Sequence, residues 1–380
     1  MASSGGVQVA GEAIEVVCGQ LLFVGFDGTE LPRPLAEAFG RGHRGGAILF
    51  KRNVARRHVE APDEVDLLQV AELNAAIVAA APSSLPPVIG VDQEGGRVKR
   101  LGPPVLQVPP MRSFGDKDPA VVEQIAKAVG EELAALGFSM SFAPVLDVDS
   151  NPNNPVIGDR SFARDPEAVA RLGIAYARGL ARASVLACGK HFPGHGDTEE
   201  DSHLSLPRVR HDRARIDAIE LAPFREAMAA GVLPSIMTAH VIFDAIDPDA
   251  PATLSTRAMQ RLLREELRYD GVCISDDLFM KGVSPSGGAD ASEVARAGVR
   301  AIEAGCDMLL VCHAGPAADA CHAALVARAR EDAAFEARAR EAFARGLAMR
   351  ARVAPRPIVD VAELRRRVGA QTLTSIVCGC

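Results

Sequence analysis

Eight short apolar runs recur along the chain, and amphipathic stretches separate them. They are LLFVGF (residues 21–26), GAILF (46–50), PPVIGVD (86–92), FSMSFAPVLDVD (138–149), VLACGKH (185–191), PSIMTAH (234–240), GVCISDD (271–277) and CDMLLVCH (306–313). Most are nearly continuous in apolar character rather than alternating, which is the pattern of a strand covered on both faces. Between them, Val122, Ile125, Val129, Leu133 and Leu136 recur three or four apart, so residues 118–137 read as a helix with one apolar face. Asp118 is placed to cap it, Pro119 suits its first turn and Gly137 its end. Asp165 and Pro166 repeat the device, and further helical segments are predicted near 212–230, 254–268, 289–304 and 317–329. Strands alternating with helices imply a parallel sheet, and eight units predict an α/β fold closed as a (β/α)8 TIM-type barrel rather than an open doubly wound sheet.

Composition agrees with helices packed on strands through aliphatic side chains. Of 380 residues 48% are apolar, yet only 4% are aromatic and none is Trp. A formal net charge of −7 with scattered Lys and Arg lacks the basic footprint of a nucleic-acid binder. The opening MASSGGVQVAGEAIEVV has no charged segment followed by an apolar run, and no stretch reaches the roughly 20 apolar residues of a membrane span, so the expected location is cytoplasmic. Cys188, Cys273, Cys306 and Cys312 lie in strand-like runs, where free thiols act as small hydrophobes, and the terminal Cys378 and Cys380 lack a partner cluster. Residues 1–350 are expected to form one domain and 351–380 a tail too small for a second.

Polar residues crowd the C-terminal ends of the predicted strands: Asp92, Asp147 and Asp149, Lys190 and His191, His240, Asp276 and Asp277, His313. In a barrel these ends converge on one face, where active sites are built. VDQEGGRVKR (91–100) sets Asp92 at a strand end, then two glycines and Arg100, a combination suited to gripping vicinal hydroxyls or to an internal acid–base pair. DSNPNNPVIGDRSF (149–162) is a turn-rich loop ending in Arg160, which binds a ligand or stitches the loop.

The densest stretch is KHFPGHGDTEEDSH (190–203). Asp201 and His203 are two residues apart, so in an extended segment the carboxylate reaches the imidazole, orients it and favours its protonated form. Such a histidine serves as general acid and base near neutral pH. Zinc ligation by His191, His195 and a neighbouring Asp or His203, or loop-stabilising hydrogen bonds alone, are the competing readings. In ISDDLFM (274–280) adjacent acids point opposite ways, which leaves one for nucleophilic, basic or metal-binding work and one for capping.

With these four motifs in this order, the sequence resembles the catalytic domain of glycoside hydrolase family 3, and within it the bacterial β-N-acetylhexosaminidases of the peptidoglycan-recycling type, over roughly residues 15–350. The resemblance implies a barrel enzyme that removes terminal β-linked N-acetylglucosamine with retention, needing no metal or cofactor. It implies Asp276 as the nucleophile and His203 as the acid/base with Asp201 as its dyad partner. It places Asp92, Arg100, Arg160, Lys190 and His191 on the sugar hydroxyls and the N-acetyl group. Because an imidazole adds no negative charge beside the glycosyl ester, phosphorolysis remains open on this scaffold, as does glucoside hydrolysis. Larger relatives append a second domain, and this chain is too short for one, so the dyad must come from the barrel's own loop. Pro193, Gly194 and Gly196 suggest a loop that moves to bring His203 over the sugar.

Overall fold

The structure, a computed structural model, describes residues 11–58, 61–199, 206–353 and 361–378. Eight parallel strands close into one barrel. They are β1 (Leu22–Val24), β2 (Gly46–Leu49), β3 (Val88–Val91), β4 (Met140–Ser141), β5 (Leu186–Phe192), β6 (Ser235–Thr238), β7 (Val272–Asp277) and β8 (Met308–Val311). Neighbours in the barrel are neighbours in sequence, and β1 closes it by pairing in register with β8, Leu22 opposite Leu309 and Val24 opposite Val311. Seven of the eight predicted apolar runs contain one of these strands, and the eighth, 185–191, stops one residue short of the end of β5.

The strands' two faces explain their continuous hydrophobicity. Phe23, Ile48, Val88, Met140, Phe142, Leu186, Met237, Ile274 and Leu310 turn inward and fill the barrel, with Phe23 and Phe142 meeting edge to face at 5.6 Å. The alternate residues, such as Leu22, Val24, Leu49 and Ile236, join a second, larger core against the helices. This is a packed interior, and in such barrels chemistry is built at a rim.

The helices are α1 (Ile14–Gly19), α2 (Arg33–Gly40), α3 (Leu67–Ala80), α4 (Pro119–Ala135), α5 (Pro166–Arg182), α6 (Arg213–Ala218), α7 (Ala222–Ala229), α8 (Ala291–Ala304), α9 (Ala317–Glu331) and α10 (Ala333–Arg350), with a wide helical turn over Arg257–Glu266. Asp118 and Asp165 cap α4 and α5 through their carboxylates, each followed by proline, as the sequence predicts. Within 351–380, α11 (Val361–Arg367) and α12 (Leu373–Cys378) lie on the barrel's flank, and Leu364 and Val368 are buried against α3 and α4. Burial of those two side chains, packing of Leu373 and Ile376 on the core, and the Gly369 amide donating to Glu132 Oε1 at 2.7 Å attach this end to the barrel. Cys380 and the side chain of Cys378 lie outside the described residues; Cys18, Cys188, Cys273, Cys306, Cys312 and Cys321 are all buried free thiols.

At the N-terminal rim Asp307, fully buried, gathers Arg264, Arg338 and Arg345 at 2.6, 2.5 and 3.2 Å and receives the Cys273 amide at 2.9 Å. That rim is structural. The opposite rim carries the site.

Candidate active site

Strand β3 delivers Asp92 to the C-terminal rim, and the chain then doubles back through a short hairpin, Gln93–Gly95 against Val98–Lys99. Gly95 and Gly96 turn it with φ of +114° and +53°, a region other residues enter only with strain. The Gln93 side chain accepts from the amides of Arg100 and Leu101, at 3.0 and 3.1 Å, and so fixes where the hairpin ends. Arg100 thereby returns to Asp92 at 2.8 Å.

Asp92 and Glu94 are two residues apart and face the same side. Lys190, near the C-terminal end of β5, donates to both, at 2.8 Å to Asp92 and 2.6 Å to Glu94. Arg160, from a turn at Gly158–Arg160, grips Glu94 with two parallel bonds of 2.9 Å. Lys190 and Glu94 are each only 2% exposed, so this is a desolvated ionic lattice rather than a surface pairing. Burial alone would raise the Glu94 carboxyl, but Arg160 and Lys190 outweigh it and hold the group down at about 2. Burial acts likewise on Asp92, and Lys190 with Arg100 hold it well below the usual carboxylate range. Lys190 in turn is raised above an ordinary lysine, burial notwithstanding, by Asp92 and Glu94.

A second buried cluster fixes the histidines. Asp147, fully buried, accepts from His191 Nδ1 at 2.6 Å and from the His191 and His195 amides at about 3.1 and 2.7 Å. Burial opposes its charge, yet His191 keeps Asp147 below the ordinary value. His195 bonds Thr198 Oγ1 at 2.9 Å, and burial, aided by His191, pushes its imidazole down to about 4, so it is neutral at physiological pH. Asn154 clips two loops together: its amide donates to His195 O and Thr198 O at 2.8 and 3.0 Å, and its carbonyl accepts from the amides of Val156 and Ile157. Gly194 and Gly196 are explained by close approach. A Cβ on Gly196 would lie 1.6 Å from Val148 O, and one on Gly194 2.8 Å from Glu220.

Strand β7 ends in the two acids. Asp277 turns toward β8, where its carboxylate accepts from the amides of Phe279 and Cys312 at 3.1 and 3.2 Å, and burial raises it. Asp276 accepts from the Asp277 amide at 2.8 Å and lines a cleft of about 290 Å³ with Asp92, Glu94, Arg100, Arg160, Lys190, His191 and His195. Six of the eight residues anticipated from sequence thus share one cleft. The other two, Asp201 and His203, lie outside the described residues. On the described stem of their loop, Asp197 pairs with His211 and accepts from Ser150 Oγ at 3.3 Å, a second Asp–His pair that does not line the cleft.

Sequence reasoning passed over Glu94, Asn154 and the Asp147–His191 bond. The two-residue spacing from Asp92 is the signal that marks Glu94. Among the described residues no three His, Cys, Asp or Glu side chains gather as a metal site.

A (β/α)8 barrel with a charged, water-accessible cleft at its C-terminal rim is the build of a barrel enzyme acting on a polar substrate. The chain belongs to glycosyl hydrolase family 3: the family's N-terminal domain matches residues 13–346. It is 44% identical over 285 residues to a β-hexosaminidase of Pseudomonas aeruginosa, covering 74% of this chain and 79% of that protein. It is 42% identical over 275 residues to β-hexosaminidase A of Pseudoalteromonas piscicida, but spans only 44% of that longer protein. A family 3 β-N-acetylglucosaminidase from Paenibacillus superposes with a TM-score of 0.83 at 41% identity, over 92% of this chain and 65% of that one. NagZ of Neisseria gonorrhoeae, solved with N-trifluoroacetyl-D-glucosamine, superposes at 0.68 with 33% identity, over 86% and 98%. No helix among the described residues is long and apolar enough to cross a membrane.

Proposed function

We propose that this family 3 glycoside hydrolase is a retaining exo-β-N-acetylhexosaminidase that removes non-reducing terminal β-linked N-acetylglucosamine from peptidoglycan fragments in the cytoplasm. Residues 1–350 form its catalytic unit and 351–380 an appended segment. The activity is supported by the relatives named β-hexosaminidase at 42–44% identity. The observation that carries the mechanism is the position of Asp276, a strand-end carboxylate facing a cleft whose other wall is the Asp92–Glu94–Lys190–Arg160 lattice.

In this reading the lattice, with Arg100 and His191, supplies fixed donors and acceptors to the sugar hydroxyls and the N-acetyl group, and little reorganisation is needed on binding. Asp276 Oδ attacks the anomeric carbon as the bond to the aglycone oxygen breaks, and protonated His203 gives that oxygen its proton. The product is a glycosyl ester on Asp276. Neutral His203 then takes a proton from water, the resulting hydroxide displaces the carboxylate, and configuration is retained. Asp201 orients the ring throughout. Retaining enzymes ordinarily use a second carboxyl for this acid/base step; an imidazole does the same work without a negative charge beside the ester.

The test is turnover of paired aryl N-acetyl-β-glucosaminide and β-glucoside substrates, each with and without phosphate. The proposal expects hydrolysis of the first, little of the second, and no phosphate dependence. Faster turnover with a sugar 1-phosphate product would make the enzyme a phosphorylase, and preference for the glucoside would make it a glucosidase.

A further inference from the structure

Asp201 and His203 are flanked by two described stems, and each stem is anchored to a different part of the barrel rim. The first, which runs through Asp197, is held to the loop that follows β4: Asn154 donates to His195 O and Thr198 O, the Asn151 amide donates to Gly196 O at 3.4 Å, and Ser150 Oγ donates to Asp197 Oδ1 at 3.3 Å. The second is held to the segment that follows β6. There Arg208–Val209 pairs in parallel with Ile242–Phe243, and Arg208 binds Asp244. His211 then stands directly before Asp212, whose carboxylate caps α6 by accepting from the Arg215 amide at 2.8 Å, so a helix start fixes its backbone.

The two stems meet through side chains. His211 Nε2 donates to Asp197 Oδ2, and Arg215, in the first turn of α6, stands 3.9 Å from Asp197 Oδ1. Arg215 also reaches Glu220 at 3.4 Å. Glu220 is only 2% exposed and packs against Gly194 of the first stem, where a Cβ would lie 2.8 Å from its own. Burial raises the Glu220 carboxyl, and Arg215 opposes that rise. The start of α6 is therefore a platform on which the first stem rests. Asp197 and His211 are 18% and 38% exposed, and a pair so exposed adds little to global stability. Its placement is what singles it out. Anchors to two different loops leave the stems free to shift against each other, and a direct bond between them removes that freedom.

We infer that His211 is a positioning residue for the acid/base step, acting with Asp197 as a clasp between the stems that fixes the reach of His203. The inference rests on the assignment of His203 as acid/base given above and deepens it. A general acid works only within hydrogen-bond reach of the oxygen it serves, so its step is the one sensitive to a small displacement of the stems. The sugar cleft is independent of the clasp, because Asp92, Glu94, Lys190 and Arg160 hold one another.

The experiment compares kcat/KM on two substrates that differ in the leaving group. N,N′-diacetylchitobiose expels a sugar hydroxyl that must be protonated, whereas a dinitrophenyl N-acetyl-β-glucosaminide expels a phenolate that needs no acid. Wild type, His203→Ala, His211→Ala, His211→Gln and the His203→Ala/His211→Ala double variant are measured, with melting temperatures as a check on folding. The inference expects His211→Ala to lose about tenfold on the disaccharide, mostly through kcat, which corresponds to about 1.4 kcal/mol. On the dinitrophenyl substrate it stays within twofold. His211→Gln should restore most of the loss, since its amide nitrogen can donate to Asp197 as the imidazole does. In the His203→Ala background the second substitution should add nothing, because a clasp has no effect once the group it positions is gone. Equal loss on both substrates in His211→Ala, no recovery in His211→Gln, or additive losses in the double variant would overturn the inference while a leaving-group split in His203→Ala keeps the acid/base assignment. If His203→Ala itself slows both substrates equally, that assignment fails and the clasp's role falls with it.

Discussion

Replacing Glu94 by Gln tests whether the buried lattice is held by charge. Glu94 accepts two bonds of 2.9 Å from Arg160 and one of 2.6 Å from Lys190, and is 2% exposed. An amide of nearly the same shape keeps one acceptor but brings two hydrogens toward a guanidinium and an ammonium, leaving both cations buried with less compensation. Breaking a buried pair from one side typically costs about 3–5 kcal/mol. The depressed carboxyl gives an independent figure: moving from an ordinary 4.5 to about 2 corresponds to about 3 kcal/mol of stabilisation of the charged form. Because the folded value is the lower one, this contribution is complete above about pH 4.5 and is lost as pH falls toward about 2. Urea unfolding of wild type and Glu94→Gln across this range therefore has a predicted shape. The difference should be about 3 kcal/mol at pH 7 and shrink by roughly 1.4 kcal/mol per pH unit below the unfolded value. A difference under 1 kcal/mol at pH 7, or one that stays constant down to pH 2.5, would refute the claim that the charge holds the lattice.

Other consequences follow from the same geometry. Asp276→Ala should fold normally and lower kcat by on the order of 10⁴-fold or more, as loss of a nucleophile does; melting temperature and stopped assays check both halves. His203→Ala should slow glycosides with poor leaving groups by about 10²–10⁴-fold while affecting activated aryl glycosides much less, and equal loss on both would remove His203 as the acid. Asn154→Ala should destabilise by roughly 2 kcal/mol, since it leaves the buried amide of Ile157 and the half-buried amide of Val156 unsatisfied, and should raise KM through the displaced Arg160 loop. Full activity after prolonged chelation is expected, and loss restored by zinc alone would revive the metal reading of the histidine loop.

The barrel was legible because its strands are buried on both faces, which leaves an apolar signature eight times over, six of the runs ending in polar residues. The missing helices have a physical explanation too. In α3, LLQVAELNAAIVAA is apolar nearly all round, and in α10 alanines blur the contrast between buried and exposed faces, so neither shows a clear stripe. At the site, residues that stand at strand ends, such as Asp92, Lys190 and Asp276, could be picked out singly. Their partners could not: Glu94 meets Arg160 across 66 residues and Asp147 meets His191 across 44, contacts created only when the barrel closes. The glycines of the histidine loop carry a related lesson. Gly194 and Gly196, which in the sequence suggest that the loop moves, also stand where neighbouring chain crowds a side chain, and Gly194 has a φ of +143°.

One carboxylate is assigned the bond-making step, and covalent capture interrogates it directly. Incubation with a fluorinated N-acetylglucosaminyl donor that forms its ester quickly and hydrolyses it slowly, followed by peptide mapping, should find the sugar on Asp276 alone. A label on any other side chain, or steady turnover of natural substrate by an enzyme that never accumulates an adduct and inverts the anomeric centre, would contradict the mechanism.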